Sequence, residues 1–455
     1  MSFFQRALGV TAALAFVRGA YAKLDFSQRE NMVVYWGQNS LGASASGGDE
    51  QTQKPLSHYC KDENIDAIVM AFVMTINGPG GAPEYDLSNI SKGCDTFDGT
   101  NLKNCPEVGA DIAECQKNGK TILLSIGGAT YNEGGFSSEK EAIAGAELIW
   151  KTFGPTKEHG PAEEPVHSAQ ETATLQPTET QKPATTAAPD QPSTAIAAGT
   201  NAPWNTWNNW NTWNNNNWNT PNSPANQNGL WQPQATSLNN LAPQLIGRAS
   251  EPVSTSSQAS KVYRPFGKTS VDGFDLDFEA TNSNMQPFAK RLRELMDGES
   301  DRKYYLTSAP QCPYPDAADK DFLNGPGPVD MDAVFVQFYN NPCGLSSFDA
   351  NSDEQPQFNF KTWDDWAKDG SKNQDVKVLL GVPASKEASV SGFVPISELK
   401  PIIEYAQGFD SFGGAMVWDV TQAYDNKGFL SSVRQALTQS ASRMLRYAFR
   451  RSDEY

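Results

Sequence analysis

Histidine is scarce in this chain: three occur in 455 residues, and His159 and His167 fall in a low-complexity stretch discussed below. With His58 alone remaining, the composition argues against histidine-based metal sites and against Ser-His-Asp chemistry. Positive charge is also in short supply. Lys and Arg number 36 against 53 Asp and Glu, giving a net charge of -17 and a pI near 4.7. That balance argues against nucleic acid or an anionic membrane surface as a partner. An apolar run long enough to span a bilayer is lacking. The run from Leu8 to Val17 is about half the roughly 20 residues required, and Arg18 follows it. With Arg6 ahead of it and Ala20-Tyr21-Ala22 behind, it reads as a secretion signal, with the mature chain starting at Lys23. The C-terminus carries no hydrophobic tail of the lipid-anchor kind, so an exported, soluble product is expected. No C-x-x-C pair occurs, so the six cysteines, Cys60, Cys94, Cys105, Cys115, Cys312 and Cys343, read as three disulfides rather than a metal set.

The most informative segment is Val271-Asp272-Gly273-Phe274-Asp275-Leu276-Asp277-Phe278-Glu279. Successive strand side chains point to opposite faces, so Asp275, Asp277 and Glu279 share one face and Phe274, Leu276 and Phe278 the other. Asp is depleted in strands, and the apolar face says that this one is packed. Three close carboxylates repel one another, so at least one should hold a proton at neutral pH and be available as a general acid. Two other readings of the pattern stay open: a solvated edge strand, and a set of oxygen ligands for a divalent cation.

Short apolar runs recur with helix-length spacers: Met32 to Trp36, Ala67 to Met74, Thr121 to Ile126, Val271 to Glu279, Tyr304 to Ser308, Ala333 to Tyr339, Val376 to Val382 and Gly414 to Trp418. Helices are expected between them, for example over Ala142 to Phe153 and Gln286 to Met296. Eight such strands predict a (β/α)8 TIM barrel of the α/β class, with the active site at the C-terminal ends of the strands, where Glu279 falls. A doubly wound sheet is the fallback, although no glycine-rich phosphate loop follows the first strand. The expected organisation is a signal peptide at 1–22, barrel at 23–154, an insertion at 155–262, barrel again at 263–439 and a basic tail at 440–455 carrying Arg443, Arg446, Arg450 and Arg451. The insertion runs from Pro/Thr-rich to Trp/Asn-rich (Trp204, Trp207, Trp210, Trp213) and is too poor in aliphatic residues to offset its ordering entropy, so disorder is expected before the fourth strand. Closure cost grows with the logarithm of loop length, so a barrel tolerates such an excursion.

Asp272 to Glu279 resembles the D-G-x-D-x-D-x-E signature of glycoside hydrolase family eighteen, the chitinases. Val34-Tyr35-Trp36-Gly37-Gln38-Asn39, Ser125-Ile126-Gly127-Gly128, Ala309-Pro310-Gln311-Cys312-Pro313, Gln337-Phe338-Tyr339-Asn340-Asn341 and Trp418 are similar to its plant and fungal class III branch. The resemblance covers about 30 to 154 and 263 to 436. It implies retaining hydrolysis of β-1,4-linked N-acetylglucosamine, with the substrate's own acetamido group as nucleophile. On this resemblance Glu279 is the acid and then the base, Asp277 orients the acetamido nitrogen and stabilises the intermediate, and Asp275 shares a proton with Asp277. Tyr339 donates to the acetamido carbonyl. Tyr35, Gln337, Asn340 and Trp418 bind substrate, the two aromatics as sugar floors. The implied bridges are Cys60 to Cys115, Cys94 to Cys105 and Cys312 to Cys343. No metal or organic cofactor is implied, and the expected protein is a secreted monomer acting on chitin or its oligosaccharides, without nucleic-acid or membrane partners. A non-catalytic chitin-binding lectin on the same barrel is the alternative, but such proteins typically lose the terminal acid that stands here as Glu279. An endo-N-acetylglucosaminidase or lysozyme-like activity is a second. The long insertion before the catalytic strand and the basic tail depart from the family pattern.

Overall fold

The computed structural model describes residues 24–44, 53–156, 262–352 and 354–439. The expected signal peptide, nearly all of the insertion, His159, His167 and the basic tail lie outside the described residues. Eight parallel strands form the framework: β1 (Asn31–Trp36), β2 (Ala67–Gly78), β3 (Thr121–Gly127), β4 (Gly273–Asp277), β5 (Tyr305–Ser308), β6 (Ala333–Gln337), β7 (Lys377–Pro383) and β8 (Phe412–Trp418). Each pairs with its sequence neighbours, and β1 pairs with both β2 and β8, so the sheet closes into the expected barrel.

Period-two alternation divides the apolar side chains between two cores. Val33 and Tyr35 of β1 point inward with Val69, Leu123, Phe335 and Leu379 to fill the barrel, while Met32, Val34 and Trp36 point outward to the helices. The helix α1 (Pro106–Lys117), α2 (Glu139–Phe153) and α3 (Met285–Asp297) cover that outer face. The start of α2 is fixed by Ser138, whose side chain accepts the Glu141 N–H. In α3 the buried residues Met285, Phe288, Ala289, Leu292 and Met296 recur at helical spacing, which lays one apolar stripe on the sheet. Each fully buried Phe or Leu there contributes about 2 kcal/mol.

Element limits differ from the expected ones where local pairing intervenes. β2 continues past Met74 to Gly78 because its end folds back antiparallel on Ala82–Tyr85, through a turn in which Gly80 and Gly81 take positive φ. The fourth strand ends at Asp277, so Glu279 stands two residues beyond it at the mouth.

The base of β4 is pinned by Asp272, which accepts from the Ile122 N–H (2.9 Å), Gln116 Nε2 (3.1 Å) and Arg302 Nη1 (2.8 Å). Beside it a Cβ on Gly273 would stand 2.0 Å from the Tyr305 carbonyl oxygen, so only glycine lets β5 approach there. The Val271 N–H donates to the Phe153 carbonyl (3.2 Å), so the end of α2 and the approach to β4 touch although 117 residues separate them. Cys60 pairs with Cys115, Cys94 with Cys105, and Cys312 with Cys343. The last of these ties the loops after β5 and β6 together beside the mouth.

Candidate active site

Asp275, Asp277 and Glu279 climb one face of β4 and its continuation, and Phe274, Leu276 and Phe278 are buried on the other. Neither a solvated edge strand nor a metal set describes this arrangement. β4 pairs on both sides with β3 and β5, and the described residues contain no group of three His, Cys, Asp or Glu suited to a metal ion. Asp275 is fully buried and receives three hydroxyls, each at 2.7 Å: Tyr35 and Ser125 on Oδ2, Thr307 on Oδ1. These come from β1, β3 and β5, so one carboxylate fastens strands on both sides of β4 and across the barrel. Burial pushes its pKa up and the three hydrogen bonds oppose that. Asp275 Oδ1 receives the Thr307 hydroxyl alone, and the charge of Asp275 acts on Asp277.

Asp277, 3% exposed, accepts from Gln337 Nε2 at 3.0 Å. Burial first, then the negative charges of Glu279 and Asp275, push its pKa well above the ordinary carboxylate range. Its backbone is set by β3: the Gly128 N–H donates to the Asp277 carbonyl (2.6 Å), and a Cβ on Gly127 would come within 2.2 Å of that oxygen. The Ser-Ile-Gly-Gly motif therefore supplies both a hydroxyl for Asp275 and the space in which Asp277 sits.

Glu279 is partly open to the mouth, and its Oε2 is buried without a hydrogen-bond partner. Burial raises its pKa to about 7; a hydrogen bond from Gln337 works against that rise and the charge of Asp316 adds to it. A carboxylic acid protonated up to neutrality, with an oxygen left unpaired, is equipped to give its proton to a bound ligand.

The other expected residues divide into those that line the mouth and those that support it. Tyr339 is buried beside the carboxylates; burial and then the charges of Asp277, Glu279 and Asp275 raise its pKa well above the usual phenol value, so it remains a donor. Trp418 is partly exposed at the end of β8 and stacks on Phe72 at 6.0 Å between ring centroids. Tyr35 is a correction: it is 1% exposed beneath Trp418 with its hydroxyl on Asp275, so it offers a sugar no face to stack on. Gln337 is also turned inward, donating to Asp277 and to the Ala309 carbonyl (2.9 Å), which commits its amide to holding the acids. Asn340 spends its side-chain oxygen on the Val390 and Ser391 N–H groups.

Two further acids belong to the site. Asp316 accepts the N–H groups of Ala318, Asp319 and Gln311, and Asp319, fully buried, accepts from Ser308 Oγ at 2.6 Å. Burial raises both pKa values, and both charges act on Asp277. Their only sequence signal is an Asp-x-x-Asp in the proline-marked loop Cys312-Pro313-Tyr314-Pro315, where no strand period directs attention to a face.

The sequence profile of glycosyl hydrolases family 18 matches residues 248–392. A class III chitinase from Arthroderma benhamiae is 36% identical over 449 residues, which is 99% of this chain and 98% of that protein. Endochitinase 33 from Trichoderma harzianum is 34% identical over 429 residues, covering 94% of this chain and 98% of its own length. Among solved structures, the ICChI chitinase from Ipomoea carnea gives a TM-score of 0.52 at 20% identity, over 89% of this chain and 99% of that one. The xylanase and alpha-amylase inhibitor protein from Scadoxus multiflorus gives 0.52 at 23%, over 89% and 97%. Identities this low show the shared barrel alone. The family is carried instead by the fungal relatives, whose similarity runs through the carboxylate strand and nearly the whole length on either side of it: this chain belongs to glycosyl hydrolase family 18.

Proposed function

We propose that this protein is a secreted, endo-acting chitinase that cleaves β-1,4-linked N-acetylglucosamine in chitin and its oligosaccharides with retention, using the substrate's acetamido group as nucleophile. The observation that carries the reading is Glu279: an acid with a pKa of about 7 and an unpaired buried oxygen, two residues beyond Asp277 at the barrel mouth. The acetamido carbonyl oxygen attacks the anomeric carbon as the glycosidic C–O bond breaks, and the leaving oxygen takes the Glu279 proton. Asp277, which its raised pKa keeps protonated in the resting site, passes that proton to the Asp275 carboxylate as positive charge develops, and then accepts from the acetamido N–H and offsets the charge of the cyclic intermediate. Tyr339 donates to the carbonyl and holds it under the anomeric carbon. Water then gives a proton to Glu279 and attacks, and the ring of the intermediate opens to a β-anomeric product. Trp418 is the floor of the scissile sugar.

Export rests on the signal read at residues 1–22. The reading of 155–262 as an insertion within one barrel is supported by the bond from Val271 to Phe153, which joins its flanks. In an early time course on a defined chitin oligosaccharide, NMR of the products should show the β-anomer first. Initial release of α-anomer would mean direct water attack and end the substrate-assisted reading. Because Glu279 must enter protonated, kcat/KM should fall as pH rises above about 7. Asp316→Asn removes a charge that holds the Glu279 pKa up, so its basic limb should move to lower pH. A limb that stays in place would detach Glu279 from the titration.

A further inference from the structure

Asn340 is one of four described non-glycine residues with positive φ, at 59°, and it follows Tyr339 directly. Asn tolerates that left-handed conformation better than most residues, and its side-chain oxygen is also engaged. Its Oδ1 accepts the N–H of Val390 (2.8 Å) and of Ser391 (3.1 Å), and its own N–H donates to the Ser391 carbonyl (3.0 Å). Three hydrogen bonds thus converge from one residue onto the loop after β7. At its other end that loop is held by Ser385, whose Oγ donates to Gln422 Oε1 at 2.7 Å.

The fastened loop presses on Tyr339. Gly392 has φ of 95°, and a Cβ built on it would lie 2.7 Å from the Tyr339 Cα and 2.9 Å from its Cβ. The backbone of the loop therefore passes against the tyrosine backbone with no room for a side chain between them. The next residue is fastened too: Asn341 Nδ2 donates to Gln311 Oε1 (3.0 Å), next to the Cys312–Cys343 bridge. Meanwhile Val390, 68% exposed, shows that the latched loop is a surface feature whose backbone N–H groups would otherwise face water.

We propose that Asn340 is a positioning residue for Tyr339: it fastens the loop after β7 across the tyrosine backbone and so fixes where the phenol hydroxyl meets the substrate. The inference rests on the reading of Tyr339 as donor to the acetamido carbonyl. Misplacing a reacting or orienting group by about 1 Å costs up to about a hundredfold in rate.

The test is a double-mutant cycle on the full chain, read as kcat and KM on a chitin oligosaccharide with thermal stability measured alongside. Asn340→Gly keeps the left-handed backbone accessible and removes the latching oxygen, and should lower kcat about ten- to a hundredfold with little change in KM. Asn340→Asp keeps an acceptor for both N–H groups and should recover most of that loss. In a Tyr339→Phe background, Asn340→Gly should cost less than about twofold more, since there is no hydroxyl left to misplace. If its effect multiplies in full with that of Tyr339→Phe, or if kcat is unchanged and only stability falls, Asn340 is structural and the inference fails while the reading of Tyr339 stands. If Tyr339→Phe alone has native kcat, the reading of Tyr339 fails and takes the inference with it.

Discussion

Glu279→Gln should lower kcat by about three to four orders of magnitude while chitin oligosaccharide binding persists. Glutamine has nearly the same shape, so the mouth and the neighbouring Gln337 keep their positions, but it has no acidic proton to give. Both halves of the reaction pass through this side chain, first as donor to the leaving oxygen and then as acceptor from water. The loss should depend on the leaving group. An aryl glycoside with a phenol of low pKa departs without protonation, so the variant should recover much of the first step on it and lose activity chiefly in the second, with a burst of phenol. Calorimetric affinity within a few-fold of native would show that binding survives. A variant retaining more than about a tenth of native kcat on chitin oligosaccharide would remove Glu279 from the acid role.

Asp277→Asn comes next in size, at about a hundred- to a thousandfold in kcat with KM little changed. The substitution preserves volume and an oxygen for the Gln337 amide, but it removes the carboxyl that can give up its proton and become charged as the positive intermediate develops. In a site this buried a preorganised charge counts for far more than it would in water. Azide separates this role from the one a carboxylate plays in most retaining glycosidases. If Asp277 were itself the nucleophile, the variant would leave an open path to the anomeric carbon, and azide would restore rate and yield a glycosyl azide. No rescue is expected, because the attacking oxygen comes from the substrate. Glycosyl azide formation would overturn the assignment.

How much of this was readable beforehand depends on whether a residue sits in a periodic element. The alternation from Asp275 to Glu279 announces itself, since a period of two sorts acids and aromatics onto opposite faces without any three-dimensional knowledge. The eight apolar runs give the barrel for the same reason. Asp316 and Asp319 lie in a loop, where spacing carries no facing information, and their approach to β4 depends on how β5 and its loop cross the barrel top. Tyr35 and Asn340 were visible as chemistry but not as geometry. A tyrosine on an inward-facing strand position suits either a sugar or a buried carboxylate, and only its depth beneath Trp418 decides between them. Asn340 looks like a sugar contact until the loop after β7, some fifty residues later in sequence, is brought against it.

The hydroxyl hub around Asp275 bears on how such a barrel would diverge. Losing Asp275 would strand three buried hydroxyls from three strands, so the position is constrained by folding whether or not catalysis is under selection. Glu279 is the reverse: one oxygen has no partner, and its burial is a cost that a neutral side chain would relieve. A lineage released from hydrolysis would therefore drift first at 279 and last at 275, and the carboxylates that outlive the activity would be those that hold the strands together.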